Sequence, residues 1–136
     1  MLRRTFLAVA VMSAAGFNAM MPASADVPFV DYRPGVLEDA LASGKTVLVD
    51  YSAVWCTTCR AQKRVLARLT AENPAYAKEI TFVLVDWDEY GDQPVARDRS
   101  IPRRSTLVLL RGNNELGRIV AGTSDTEIRA LLDKGL

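Results

Sequence analysis

Two cysteines, Cys56 and Cys59, are the only ones in a chain of 136 residues, and they stand three positions apart where an apolar strand gives way to a helix. If Cys56 opens that helix, its sulfur faces backbone N–H groups that have no intrahelical partner and the positive end of the helix dipole. A thiolate is stabilised there. Cys59, one turn later, lies on the same helix face and within reach of a disulfide with Cys56. Such a pair can take up and return two electrons, with the more acidic thiol as the attacking group. This chemistry requires the Cys56 sulfur to be reachable and easily ionised.

The preceding run, Thr46-Val47-Leu48-Val49-Asp50-Tyr51-Ser52, is β-branched and apolar, as expected of a strand buried on both faces. Asp50 interrupts it. A carboxyl group buried below a disulfide has a raised pKa and can accept or supply the proton of Cys59 as the bond breaks and forms. The bland alternative is an aspartate at a wet strand end, since acids avoid full burial.

Together, Asp50, Trp55, Cys56 and Cys59 in a strand-to-helix setting resemble the thioredoxin family motif, which has an Asp six positions before the first cysteine and a Trp directly before it. The resemblance covers roughly residues 36 to 136. It implies an α/β chain with a thioredoxin-like fold, a central mixed β-sheet flanked by helices. It also implies Cys56, Cys59 and Asp50 as catalytic residues, and a substrate-binding surface formed by Trp55 and the loop at Arg104, Ser105 and Thr106. The same strand region is similar to the C-terminal domain of bacterial membrane reductases that pass electrons into the periplasm.

One segment departs from the family. Thioredoxins carry a cis-proline before a central strand, facing the cysteines, and with Leu107 to Leu110 as that strand, Ser105 occupies the proline's place. A cis bond before a non-proline residue costs about 2.5–4 kcal/mol, so a trans Arg104–Ser105 bond and an altered loop are expected. Alternatively, Pro102 plays the family role and the loop carries an insertion. Arg103 and Arg104 add positive charge beside Cys56, which can favour its thiolate or acidic partners; two exposed arginines in a turn also need no function.

Residues 1–25 read as a secretory signal, with Arg3 and Arg4 as a basic start, an apolar run from Thr5 to Phe17, and Ala23-Ser24-Ala25 as a small-residue cleavage site. Cleavage after Ala25 leaves 26–136 as one domain, expected in the periplasm. Setting Arg3 and Arg4 aside brings the 17 basic residues close to parity with the 16 acidic ones, which gives no reason to expect nucleic acid as a partner. In an oxidising compartment a cysteine pair can be a plain staple. A loop over two intervening residues constrains the unfolded chain little, however, which disfavours that use.

Further along, helices are expected over Val36 to Ser43, from Cys56 to about Ala71, and over Gln93 to Arg99, with Asp26 to Pro34 as an extended lead-in. On the long helix, Val65, Leu66 and Leu69 form the apolar stripe and Arg60, Lys63, Arg64 and Arg68 the basic face. Ile80 to Asp86 reads as a strand, followed by an acidic loop from Trp87 to Asp92. Thr106 to Arg111 and Glu115 to Ala121 flank a Gly112-Asn113-Asn114 turn, a hairpin composition. Ser124 and Glu127 form a capping-box pattern before a last helix with Ile128, Leu131 and Leu132 on one face.

The leading expectation is a periplasmic thiol–disulfide oxidoreductase that needs no cofactor, acts as a monomer on disulfide-containing proteins, and is recharged by an external thiol donor such as a membrane reductase. Thr57-Thr58 between the cysteines offers no histidine to stabilise the reduced thiolate, which favours a reductase or relay over a strong oxidant. Two other readings stand beside it: a thiolate-based Cu(I)-binding module, and a redox-inert partner-binding domain on the same fold. The chain has no histidine, which removes the commonest metal ligand.

Overall fold

Beyond residue 25 the apolar runs become strands of one sheet, and the amphipathic stretches between them cover it. The computed structural model describes residues 26–136; the expected signal segment lies outside them. In order, the elements are β1 (Phe29–Asp31), α1 (Val36–Ala42), β2 (Thr46–Ser52), α2 (Thr57–Glu72), α3 (Ala75–Glu79), β3 (Ile80–Asp86), α4 (Trp87–Tyr90), α5 (Pro94–Arg97), β4 (Thr106–Arg111), β5 (Asn114–Val120) and α6 (Asp125–Asp133). The sheet has five strands in the order β1-β3-β2-β4-β5. β2 runs parallel to β3 and antiparallel to β4, so the sheet is mixed and β2 lies at its centre. Every residue of β2 is buried, as its unbroken apolar pattern requires.

Side chains alternate across a strand, so β2 feeds two cores. Val47, Val49 and Tyr51 pack with Leu37 of α1 and with Val95 and Ala96 of α5. Leu48 points the other way, into a cluster with Val65, Leu66 and Leu69 of α2, Tyr76 of α3 and Ile128, Leu131 and Leu132 of α6. By the same alternation Asp50 and Ser52 share the Leu48 face, the one that α2 covers. The strand therefore carries a carboxyl group beneath the helix that begins with the cysteine pair.

Several boundaries differ from the sequence expectation. The lead-in contains β1, which pairs in parallel with β3 at the sheet edge. Its three residues are too few to show a period. α2 ends at Glu72, one residue past the expected Ala71, and Pro74 then caps the start of the short α3, proline being well suited to the beginning of a helix. Trp87 to Tyr90 forms α4, one turn capped by Asp86, whose carboxylate accepts from the Asp88 N–H at 2.9 Å. α5 is shorter than the expected Gln93–Arg99 span, and β5 begins one residue early, at Asn114. Half of the expected capping box at Ser124 is seen: its side chain accepts from the Glu127 N–H, with no return bond from the Ser124 N–H to Glu127 among the described residues.

Candidate active site

The junction between β2 and α2 positions the cysteines. Cys56 is the N-cap of α2 and not its first helical residue, with extended backbone at φ −83°, and its Sγ accepts from the Cys59 N–H at 3.2 Å. The sulfur thus occupies the place where a capping oxygen usually sits, against the unpaired N–H groups of the first turn. Cys56 and Cys59 are joined as a disulfide with their Cα atoms 5.2 Å apart. Both are covered in this oxidised form, Cys56 being 2% and Cys59 1% exposed, so the reachable Cys56 sulfur expected of an attacking group is not seen in the disulfide state. Arg60 braces the turn before the pair, donating to the Val54 carbonyl at 3.0 Å and to Thr57 Oγ1 at 3.4 Å.

Asp50 is fully buried, and neither of its carboxyl oxygens has a hydrogen-bond partner among the described residues. Burial pushes its pKa up to about 7, while the Lys63 ammonium pulls in the opposite direction. The wet strand-end alternative is thereby set aside. A carboxyl group with that acidity is divided between its two forms near neutral pH, the condition under which it can both take and give a proton. Ser52, two residues on, is also buried with an unpartnered Oγ. It lines a cavity of about 550 Å³ whose walls include Val54, Lys63 and Asp86. A separate cavity of about 620 Å³, between α1 and the α4–α5 region, contains neither cysteine.

Ser105 directly precedes β4, whose first residue, Thr106, pairs with Tyr51. The Arg104–Ser105 bond is trans, and the described residues contain no cis peptide. Pro102 is exposed three positions upstream, so its assignment to the proline's place, with a loop insertion, fails on strand register. Ser105 instead reverses the chain with a left-handed φ of 64°. Its N–H donates to the Tyr51 carbonyl at 2.7 Å, and its own carbonyl accepts from the Ala121 N–H at 2.7 Å.

Gln62, which sequence reasoning missed, locks this arrangement. Its Nε2 donates to the Ser105 and Gly122 carbonyls at 3.0 and 2.9 Å, and Ser105 Oγ donates back to its Oε1 at 3.2 Å. A signal was available, because Gln62 is a polar residue on the face that carries Cys59, Val65, Leu66 and Leu69, and it is fully buried. The Thr106 hydroxyl donates to the Arg103 carbonyl at 2.7 Å, holding the turn from within. The side chains of Ser105 and Thr106 are both buried.

Trp55 and Arg104 form the outer surface. The Trp55 indole is 53% exposed, and its Nε1–H donates to both Asp88 oxygens, at 3.1 and 2.9 Å. The Arg104 guanidinium lies 4.3 Å from the centre of a Trp55 ring. Part of the acidic segment after β3 thus belongs to this surface, whereas its charge run alone reads first as an ordinary solvated loop. Among the described residues there is no group of three or more His, Cys, Asp or Glu that could hold a metal ion. No described helix is long and apolar enough to cross a membrane.

Comparison with known proteins bears on the family and the fold. The Thioredoxin family pattern matches residues 31–134. Thioredoxin H5 of Oryza sativa subsp. japonica is 33% identical over 65% of this chain and 62% of its own length. Thioredoxin H2-1 of the same plant is 35% identical over 60% of this chain and 54% of its own, so the match spans less than two thirds of either rice protein. A Thioredoxin H-type protein of Brassica campestris is 31% identical over 72% of this chain and 74% of its own length. Among solved structures, Trxlp from Edwardsiella tarda superposes with a TM-score of 0.67 at 29% identity, covering 76% of this chain and 97% of that one. Thioredoxin NaTrxh from Nicotiana alata gives a TM-score of 0.66 at 24% identity over 83% and 96%, a likeness of fold.

Proposed function

The chain belongs to the thioredoxin family, and from that premise we propose that it is an exported thiol–disulfide oxidoreductase working as a reductase or electron relay. The observation that carries this reading is the Cys56–Cys59 disulfide at the N-terminus of α2, with Asp50 buried and unpartnered on the adjoining strand. In the reduced protein, the Cys56 thiolate attacks one sulfur of a substrate disulfide. The substrate S–S bond breaks, a mixed disulfide forms, and the released sulfur leaves as a thiolate that takes a proton from water. Cys59 then gives its proton to the Asp50 carboxylate and attacks the Cys56 sulfur; the mixed S–S bond breaks and the second substrate sulfur leaves as a thiolate that takes a proton from water. Two electrons pass to the substrate, and the protein is left as the disulfide described above. A dithiol donor from outside the chain must reduce that disulfide to complete the cycle.

Export rests on the composition of residues 1–25, and amino-terminal sequencing of the protein recovered from the periplasm tests it, with Asp26 as the expected first residue. The direction of electron flow is tested by the reduction potential of the mature protein. A value toward the roughly −270 mV of thioredoxins supports a reductase, and one near −120 mV, as in a strong oxidase, overturns it. Cys59→Ser is expected to trap mixed disulfides with substrate proteins in an extract, and Cys56→Ser to trap none. Equal trapping by both variants would remove Cys56 from the attacking role.

A further inference from the structure

Beside the cysteine pair, the loop before β4 holds an arginine, Arg104, against an indole and, among the described residues, without a hydrogen-bond partner at its Nε. The Arg104 guanidinium lies against Trp55, 4.3 Å from a ring centre. Trp55 is itself fixed by its two hydrogen bonds to Asp88. Arg104 Nε is shielded from solvent, and no acceptor meets it among the described residues. An arginine stacked on an indole has already lost much of its conformational freedom, so it can bind an anion with less further ordering than a free side chain would need.

Its position relative to the chemistry is set from both sides. Arg104 touches the residue before Cys56, while the next residue, Ser105, is bound by Gln62, which follows Cys59 by one helical turn. The loop therefore contacts the chain immediately before the reacting pair and one helical turn after it. Arg103, exposed on the same turn, adds a second positive charge, and the nearby Asp88 carboxylate is already engaged by the indole N–H.

We propose that Arg104 is a docking point for a carboxylate on the substrate, so that the favoured substrates are protein disulfides with Asp or Glu within one or two residues of the cysteine that Cys56 attacks. The planar fork of a guanidinium matches a carboxylate, and opposite charges across an interface raise the rate of productive encounter. Successive residues of an extended segment are about 3.3 Å apart, which sets the one-or-two-residue range. This inference rests on the oxidoreductase reading.

The test uses reduced mature protein and three symmetric peptide disulfides that differ only in Glu, Gln or Lys beside the cysteine. Each rate is divided by the rate of the same peptide with dithiothreitol, which removes intrinsic reactivity. The Glu peptide is expected to react roughly five-fold or more faster than the Lys peptide, the scale of a single favourable ion pair. That ratio should fall toward one in Arg104→Gln, take an intermediate value in Arg104→Lys, and shrink for the wild type at about 0.5 M salt. A wild-type ratio of one, or a ratio untouched by Arg104→Gln, overturns the docking role. Neutral 2-hydroxyethyl disulfide, run with wild type, separates the two levels. Failure to reduce it refutes the oxidoreductase reading itself, whereas reduction without any charge preference among the peptides refutes only the role of Arg104.

Discussion

Asp50 occupies a position where ionisation is opposed by its surroundings, and the consequence is measurable as stability. Burial raises its pKa from 3.8 to about 7. Well below pH 4 it is protonated in both folded and unfolded chains and contributes no pH dependence. As pH rises toward 7, the unfolded chain releases this proton while the folded one retains it, so stability falls across that window and then levels off. A difference of about three pK units corresponds to a loss of about 4 kcal/mol. Urea unfolding of the oxidised protein should therefore show Asp50→Asn gaining on wild type as pH rises from 4 to 7, and a gap that stays constant with pH would disprove the assignment. Lys63→Met, by removing the opposing charge, should move the Asp50 titration to still higher pH.

At the scale of elements, α2 does two jobs with adjacent turns. Its first turn holds the cysteines and its second holds the loop before β4, through Gln62. Gln62→Leu leaves the Ser105 and Gly122 carbonyls without that donor and the Ser105 hydroxyl without its acceptor. A loss of roughly 2–4 kcal/mol in a denaturant titration is expected, consistent with orphaning buried polar groups. This clamp also marks where sequence reading stops. Cys56, Cys59, Asp50 and Trp55 are legible because their meaning lies in local spacing along one strand and one helix. β2, β3 and α6 are legible for a similar reason, being marked by unbroken apolar runs or by a cap such as Ser124. Gln62 bonds across 43 positions and Trp55 meets Asp88 across 33, and no local pattern announces such partners. β1 and α3 escaped because three and five residues are too short to establish a period.

For the whole molecule, the sheet has a core on each face, and the disulfide lies at its rim. Closing a loop with only two intervening residues removes little freedom from the unfolded chain, on the order of 2 kcal/mol. Reduction should therefore lower stability by no more than about that amount and leave the far-ultraviolet dichroism unchanged, so that the chain is folded in both halves of its redox cycle. Collapse of the fold on reduction would show the bond to be a staple. The two outermost strands carry a further consequence. β1 spans just three residues, and β5, though longer, meets a bulge in its pairing between Leu109 and Leu110 of its neighbour and bears the charged pair Glu115 and Arg118. Neither rim among the described residues offers the long, flat, apolar template on which further chains stack into cross-β fibres.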